Sequence, residues 1–161
     1  MLLQFFKKLL KNRNTEQCIG CYCYPDRILL MTQNKTTAGF WIVTNNAEFL
    51  PVNCTNEQLG NKILEQLSLS KTEYSNPTKE GFKALAPLFK KATGMSFRQS
   101  MQDSKYVNVY RIDKRLEFSP TINNGPNSGF QYQPELFFGV EDDFVPENLG
   151  QYLRDGWNNS L

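Results

Sequence analysis

The chain of 161 residues contains no histidine. That removes the side chain whose ordinary pKa lies nearest neutrality, and with it the commonest general acid–base and the commonest metal ligand. Ser-His-Asp and Cys-His arrangements are excluded. An enzyme built on this sequence would have to work with carboxylates, lysines or tyrosines. Charge of one sign is also lacking: 18 Lys and Arg stand against 16 Asp and Glu, a net +2. Nucleic-acid-binding domains usually carry a clear basic excess, because phosphate neutralisation supplies most of their affinity, so no direct nucleic-acid partner is expected. No run approaches the ~20 apolar residues of a membrane span, and stable membrane insertion is not expected. Met1 to Arg13 has the look of a signal peptide, but Lys7 and Lys8 break its apolar run and no small-residue cleavage site follows. The cytoplasm is the expected location. Phosphate cradles are missing too: Gly94 and the Gly125/Gly129 loop fit neither a Walker sequence nor a dinucleotide fingerprint. No cofactor is expected.

Cysteine is scarce. Cys18, Cys21 and Cys23 fall within six residues and Cys54 stands apart. A Cys-x-x-Cys spacing invites zinc or redox chemistry. Strand alternation, however, puts Cys21 and Cys23 on one face and Cys18 on the other, whereas a tetrahedral site takes its close pair from a turn. Reduced structural cysteines are the favoured reading, over zinc or thiol exchange.

What is present is core material: 40 % hydrophobic residues, with twelve Phe and seven Tyr among them. A chain of this length buries roughly 70 % of its unfolded surface and needs no disulfide or metal to hold together. Residues 2–12 place Leu2, Phe5, Phe6, Leu9 and Leu10 on one helical face, with Lys7, Lys8 and Lys11 elsewhere. This predicts an N-terminal amphipathic helix, docked on its own domain or lying on an anionic membrane surface. Apolar runs at Cys18–Tyr24, Arg27–Thr32 and Gly39–Thr44, punctuated by Pro25-Asp26, Gln33–Thr37 and Asn45-Asn46, read as antiparallel strands, and Phe49–Val52 reads as an edge piece. Thr55–Ser68 is the clearest helix, with Thr55 and Gln58 at capping-box spacing and Leu59, Ile63, Leu64 and Leu67 in one stripe. Phe82, Leu85, Leu88 and Phe89 predict a second helix that Pro87 should kink or split, ending at Gly94, and Ser96 opens a short third. Tyr106–Ile112 and Leu116–Phe118 read as two strands tightly joined at Asp113-Lys114. A loop at Thr121–Gly129 and a last strand at Phe130–Tyr132 follow. Pro146–Trp157 predicts a helix with its proline in the first turn. Asn56-Glu57-Gln58-Leu59-Gly60 is echoed by Pro146-Glu147-Asn148-Leu149-Gly150, which reads as two similar helix starts. Strands, then helices, then strands predict an α+β fold: an antiparallel sheet of about five to six strands packed against several helices, in a single domain over 1–161.

The middle of the chain resembles the immunity proteins of contact-dependent growth inhibition systems. The resemblance covers residues 36 to about 132. It is carried by Gly39 before the strand Phe40-Trp41-Ile42-Val43, by Leu59-Gly60 opening the helix through Ile63-Leu64-Glu65-Gln66-Leu67-Ser68-Leu69-Ser70, and by the Leu88–Thr93 helix ending at Gly94 with Ser96-Phe97 next. Leu116-Glu117-Phe118-Ser119-Pro120 and the later Gly129-Phe130 complete it. The resemblance implies a cytosolic α+β protein that is not an enzyme. It implies a partner, the cognate C-terminal toxin domain of a cell-surface effector. Such toxins are often nucleases, frequently acting on RNA, and the immunity protein blocks them by tight occlusion. The resemblance brings no fixed binding residues.

The residues themselves suggest where contact would occur. Between 135 and 147 stand Glu135, Glu141, Asp142, Asp143 and Glu147 with no base among them. The plain reading is a solvated acidic turn complementing the positive end of the next helix. The functional reading is an acidic surface for the basic cleft of a nuclease, with Phe144 as an apolar anchor. Two further readings stay open: a membrane-surface adaptor acting through residues 1–13, and a single-stranded nucleic-acid-binding module using Lys105, Tyr106, Tyr110, Arg111 and Lys114.

Overall fold

The computed structural model describes residues 16–141 and 144–161. The expected N-terminal helix over 2–12 lies outside the described residues. Among the described residues, seven strands and four helices run in the order β1 (Glu16–Cys23), β2 (Arg27–Lys35), β3 (Trp41–Pro51), α1 (Asn56–Ser68), α2 (Lys79–Thr93), α3 (Phe97–Ser100), β4 (Lys105–Ile112), β5 (Arg115–Asn123), β6 (Phe130–Tyr132), β7 (Phe138–Glu141) and α4 (Pro146–Asn159). A 3-10 turn at Pro134–Leu136 separates β6 from β7. The strands form one antiparallel sheet in the order β3-β2-β1-β4-β5-β6, with β7 also on β5. This is the α+β architecture expected.

The sheet has seven strands where five to six were expected, because β5 takes two short partners on its outer edge. The edge beyond β5 is shared by two short strands: β6 pairs Thr121–Asn123 and β7 pairs Arg115–Phe118. Phe138–Glu141 is four residues long and includes a glycine, so no alternation marked it. β5 runs on through Asn123, where a loop was expected, because its far end gains β6 as a neighbour. The Asn45-Asn46 pair, expected as a break, lies inside β3. The register between β2 and β3 shifts there, from Met31↔Ala47 to Gln33↔Val43, and the Thr44 hydroxyl donates to the Thr32 carbonyl at 2.9 Å. The extra residues bulge out and the strand continues.

The cap at Thr55 is as expected: its hydroxyl accepts from the Gln58 N–H at 3.1 Å, and Gln58 Oε1 accepts from the Thr55 N–H at 2.9 Å. Ser96 and Gln99 repeat the device at α3. Pro87, expected to kink or split its helix, lies within the one helical span Lys79–Thr93. It sits on the exposed side, where the carbonyl one turn earlier can bond to water, so the missing N–H leaves no buried group unpaired. Gly94 closes α2 in the left-handed conformation, φ 77°.

Alternation divides the sheet into two faces. On one, Ile19, Cys21, Ile28, Leu30, Val107, Val109, Leu116 and Phe118 meet Leu59, Ile63 and Leu67 of α1 and Leu149, Leu153 and Trp157 of α4. Leu59, Ile63, Leu67, Leu149 and Leu153 are wholly buried, and each contributes about 1.5–3 kcal/mol. The Trp157 indole N–H donates to the Cys21 carbonyl at 3.1 Å, so its one polar atom is satisfied inside this core. On the other face Tyr22, Tyr24, Leu29, Met31 and Tyr106 take Phe89 of α2 and Met95. The cysteines follow the expected alternation: Cys21 lies in the first core, while the Cys18 thiol donates to Asn108 Oδ1 at 3.3 Å on the opposite face. All four are free thiols, and among the described residues no cluster could hold a metal. No described helix is long and apolar enough to cross a membrane.

Candidate functional site

Helices α2 and α3 cover one end of the second face, and among the described residues no helix covers the other end. There Glu16 of β1, Lys35 of β2 and Tyr110 of β4 converge, because these strands are neighbours and the three residues share a face. The Glu16 carboxylate accepts from the Lys35 ammonium and from the Tyr110 hydroxyl. The Lys35 contact first, and then the Tyr110 hydrogen bond, hold the Glu16 carboxyl below its ordinary range. Burial and that same carboxylate push the Tyr110 hydroxyl up, so it stays a neutral donor. Lys35 also lies 5.8 Å from the centre of the Trp41 ring, and Trp41 meets Tyr110 edge-on at 5.9 Å. Deeper in the sheet, the Gln33 amide donates to the Tyr106 hydroxyl at 3.4 Å, and that hydroxyl donates to Asn108 at 3.3 Å. Gly20 makes room for this ladder, since a Cβ there would come within 2.7 Å of the Tyr106 hydroxyl oxygen.

Beside this network lies a hollow of about 290 Å³ between Trp41, Tyr110, Tyr132 and Phe137, with Glu117 and Ser119 of β5. A longer groove of about 610 Å³ runs between the edge strand β3 and α2, past Asn45, Asn46, Tyr74 and Leu85. Of the apolar stripe that predicted α2, Phe82 stands 49 % exposed, Leu85 and Leu88 are half-buried and Phe89 is buried.

The acidic segment is distributed over several elements. Glu135 is exposed on the 3-10 turn. Glu141 ends β7 opposite Arg115, with a 3.3 Å ion pair between exposed side chains. Such a pair is worth about 0–1 kcal/mol. Asp142 and Asp143 lie outside the described residues. Glu147 occupies the first turn of α4, where it complements the helix dipole. Phe144, expected as an apolar anchor for a partner, is only 9 % exposed and packs into the core under α4, with the Arg111 guanidinium 5.1 Å from its ring centre. Its φ is +52°, a conformation costing about 1–2 kcal/mol in a non-glycine residue, and burial of the ring, about 1.5–3 kcal/mol, outweighs that.

The bases and aromatics of 105–114 do not share a face. Tyr106 is buried and Tyr110 engaged on the open side, whereas Lys105 donates to the Trp157 carbonyl at 3.0 Å and Arg111 covers Phe144 on the helical side. Glu16, Trp41, Glu117, Tyr132 and Phe137 drew no notice as site residues in the sequence. They come from four strands and a turn, and only the strand order brings them together.

The chain is thus a one-sheet α+β protein with a polar, aromatic, partly open sheet face. No family model matches it, and no curated protein does. Solved structures do share the fold. A protein of unknown function from Neisseria meningitidis superposes with a TM-score of 0.74 at 15 % identity, over 93 % of this chain and 98 % of that one. A chain of a CdiA-CT/CdiI toxin and immunity complex from Yersinia pseudotuberculosis superposes with a TM-score of 0.72 at 12 % identity, over 91 % and 98 %. The fold implied by the resemblance to contact-dependent growth inhibition immunity proteins is the fold observed.

Proposed function

We propose that this protein is a cytoplasmic immunity protein, acting as one domain, that binds the cognate C-terminal toxin domain of a contact-dependent growth inhibition effector and neutralises it by occluding its active site. The observation that carries this reading is the near end-to-end likeness of fold to a chain of a toxin and immunity complex. The toxin is a nuclease acting on RNA, and the immunity protein works by occupancy alone, with no reaction of its own. The absence of histidine from the sequence is in keeping with that. The acidic segment supplies a contact surface, with Glu135, Glu141, Asp142, Asp143 and Glu147 presented to a phosphate-binding cleft. Phe144 braces the segment from beneath. Carboxylates on such a surface speed encounter with a basic partner and reject partners of the wrong charge.

The test is co-expression of this chain, untagged, with the tagged toxin domain encoded directly upstream. A stoichiometric complex and survival of the expressing cells are expected. A toxin domain that kills the cells and purifies alone would refute the reading.

A further inference from the structure

The open end of the sheet face is a different surface from the acidic segment, and its chemistry is specific. Four aromatic rings wall the hollow in two edge-on pairs, Trp41 with Tyr110 at 5.9 Å and Tyr132 with Phe137 at 6.1 Å. Each pair fixes its rings against one another. Tyr132 is 49 % exposed, so the hollow opens to solvent. Among the charged groups around it, Lys35 is held by Glu16, and Arg115 reaches over Gly139 to Glu141. Glu117, at the hollow itself, makes no hydrogen bond or ion pair with another described residue.

A free carboxylate among π faces attracts a cation, since the face of each ring is the negative part of its quadrupole. A flat, weakly hydrated guanidinium suits it better than a compact ammonium, because it can stack on a ring while donating two N–H groups to the carboxylate. The same arrangement is wrong for a phosphate chain. Lys35 is already neutralised, Lys105 and Arg111 lie on the other side of the sheet, and Glu117 repels anions.

The geometry points to this hollow as the receptor for an arginine side chain projected by a protein partner, its guanidinium stacked between Trp41 and Tyr132 and bound by Glu117. The inference rests on the proposed immunity function, and deepens it. A nuclease toxin holds its substrate with basic side chains, and capture of one of them here would disarm substrate binding as well as anchor the complex.

Tryptophan fluorescence tests this without a toxin. Of the two tryptophans, Trp157 is buried at 3 % exposure, so a ligand in the hollow is reported by Trp41. Titration with Nα-acetyl-arginine amide should give a saturable change, absent with the uncharged citrulline analogue and lost in Glu117→Gln with unchanged circular dichroism. No saturable change, an equal response to citrulline, or a response to oligouridylate in its place overturns the inference. With the upstream toxin domain, Trp41→Ala, Tyr132→Ala and Glu117→Gln should each weaken binding by about tenfold or more, as for residues at the centre of an interface. If the toxin binds the wild type and all three variants equally, the arginine receptor is overturned and the immunity reading stands. If the toxin does not bind the wild type, the immunity reading fails, and the arginine titration alone decides the hollow.

Discussion

Glu16 joins three strands through two hydrogen bonds: Lys35 donates from β2 and Tyr110 from β4. Both favour the charged carboxylate, which is why its pKa is lowered. A depressed carboxyl stabilises the fold above its unfolded pKa, and that stabilisation is lost as pH falls through its folded pKa. Glu16→Gln should therefore lower Tm near pH 7, and the gap from wild type should close below the carboxylate range. Thermal melts across pH 2–7, roughly the span in which carboxylates titrate, would show it, and a constant gap would remove the assignment. The thiols make a second case at this scale. Burial raises Cys18 to about 12 and Cys21 well above its ordinary value. Both are then neutral thiols at pH 8 and poor nucleophiles. Iodoacetamide should modify them in the native protein no faster than the protein unfolds, as read by peptide mass spectrometry. Rapid labelling of Cys18 would contradict its burial.

Among the elements, the repeated helix start acquires a physical meaning. α1 and α4 cross where each begins. A Cβ on Gly60 would lie 1.8 Å from the Pro146 carbonyl oxygen, and one on Gly150 would lie 2.1 Å from the Asn56 carbonyl oxygen. The contact is reciprocal: each helix sets its glycine against the first residue of the other. Arg154 completes the joint by donating to Asn56 Oδ1 at 2.8 Å and to the Val52 carbonyl at 3.2 Å. The clash at either glycine is with backbone, which cannot swing aside, so Gly60→Ala or Gly150→Ala should destabilise by about 1–3 kcal/mol. The double variant should cost less than the sum of the two, because helices already pushed apart by one methyl accommodate the second. Denaturant titrations of the three variants test both statements, and strict additivity would argue against a shared contact. The echo was legible as two similar helix starts. That the two starts touch was not, since nothing local in either segment refers to the other.

Over the whole molecule, charge is nearly balanced and its placement is uneven. If the 135–147 segment is the toxin contact, reversing Glu141, Asp142 and Asp143 to lysine should slow association and weaken protection. The loss should shrink at high ionic strength, as the Debye length falls from about 10 Å at ~0.1 M to about 3 Å at ~1 M and screens exposed charges. Stopped-flow association at two salt concentrations measures it, and an unchanged rate would move the interface elsewhere, the open sheet face being the next candidate.

The sequence by itself determined most of the elements. Capping pairs at Thr55 and Ser96, the apolar stripe of α1, the Asp113-Lys114 turn and the alternation through Tyr106–Ile112 depend on neighbours a few residues apart, so they could be read directly. The same alternation put Cys18 on the face opposite Cys21. Only the tertiary structure decided what depends on distant segments. β7 exists because β5 offers it an edge, and Asn45-Asn46 is a bulge because β2 continues beside it. Phe144 turned inward because α4 and the sheet offered its ring a core. The grouping of Trp41, Glu117, Tyr132 and Phe137 follows from strand order, which long-range packing sets and no local pattern encodes.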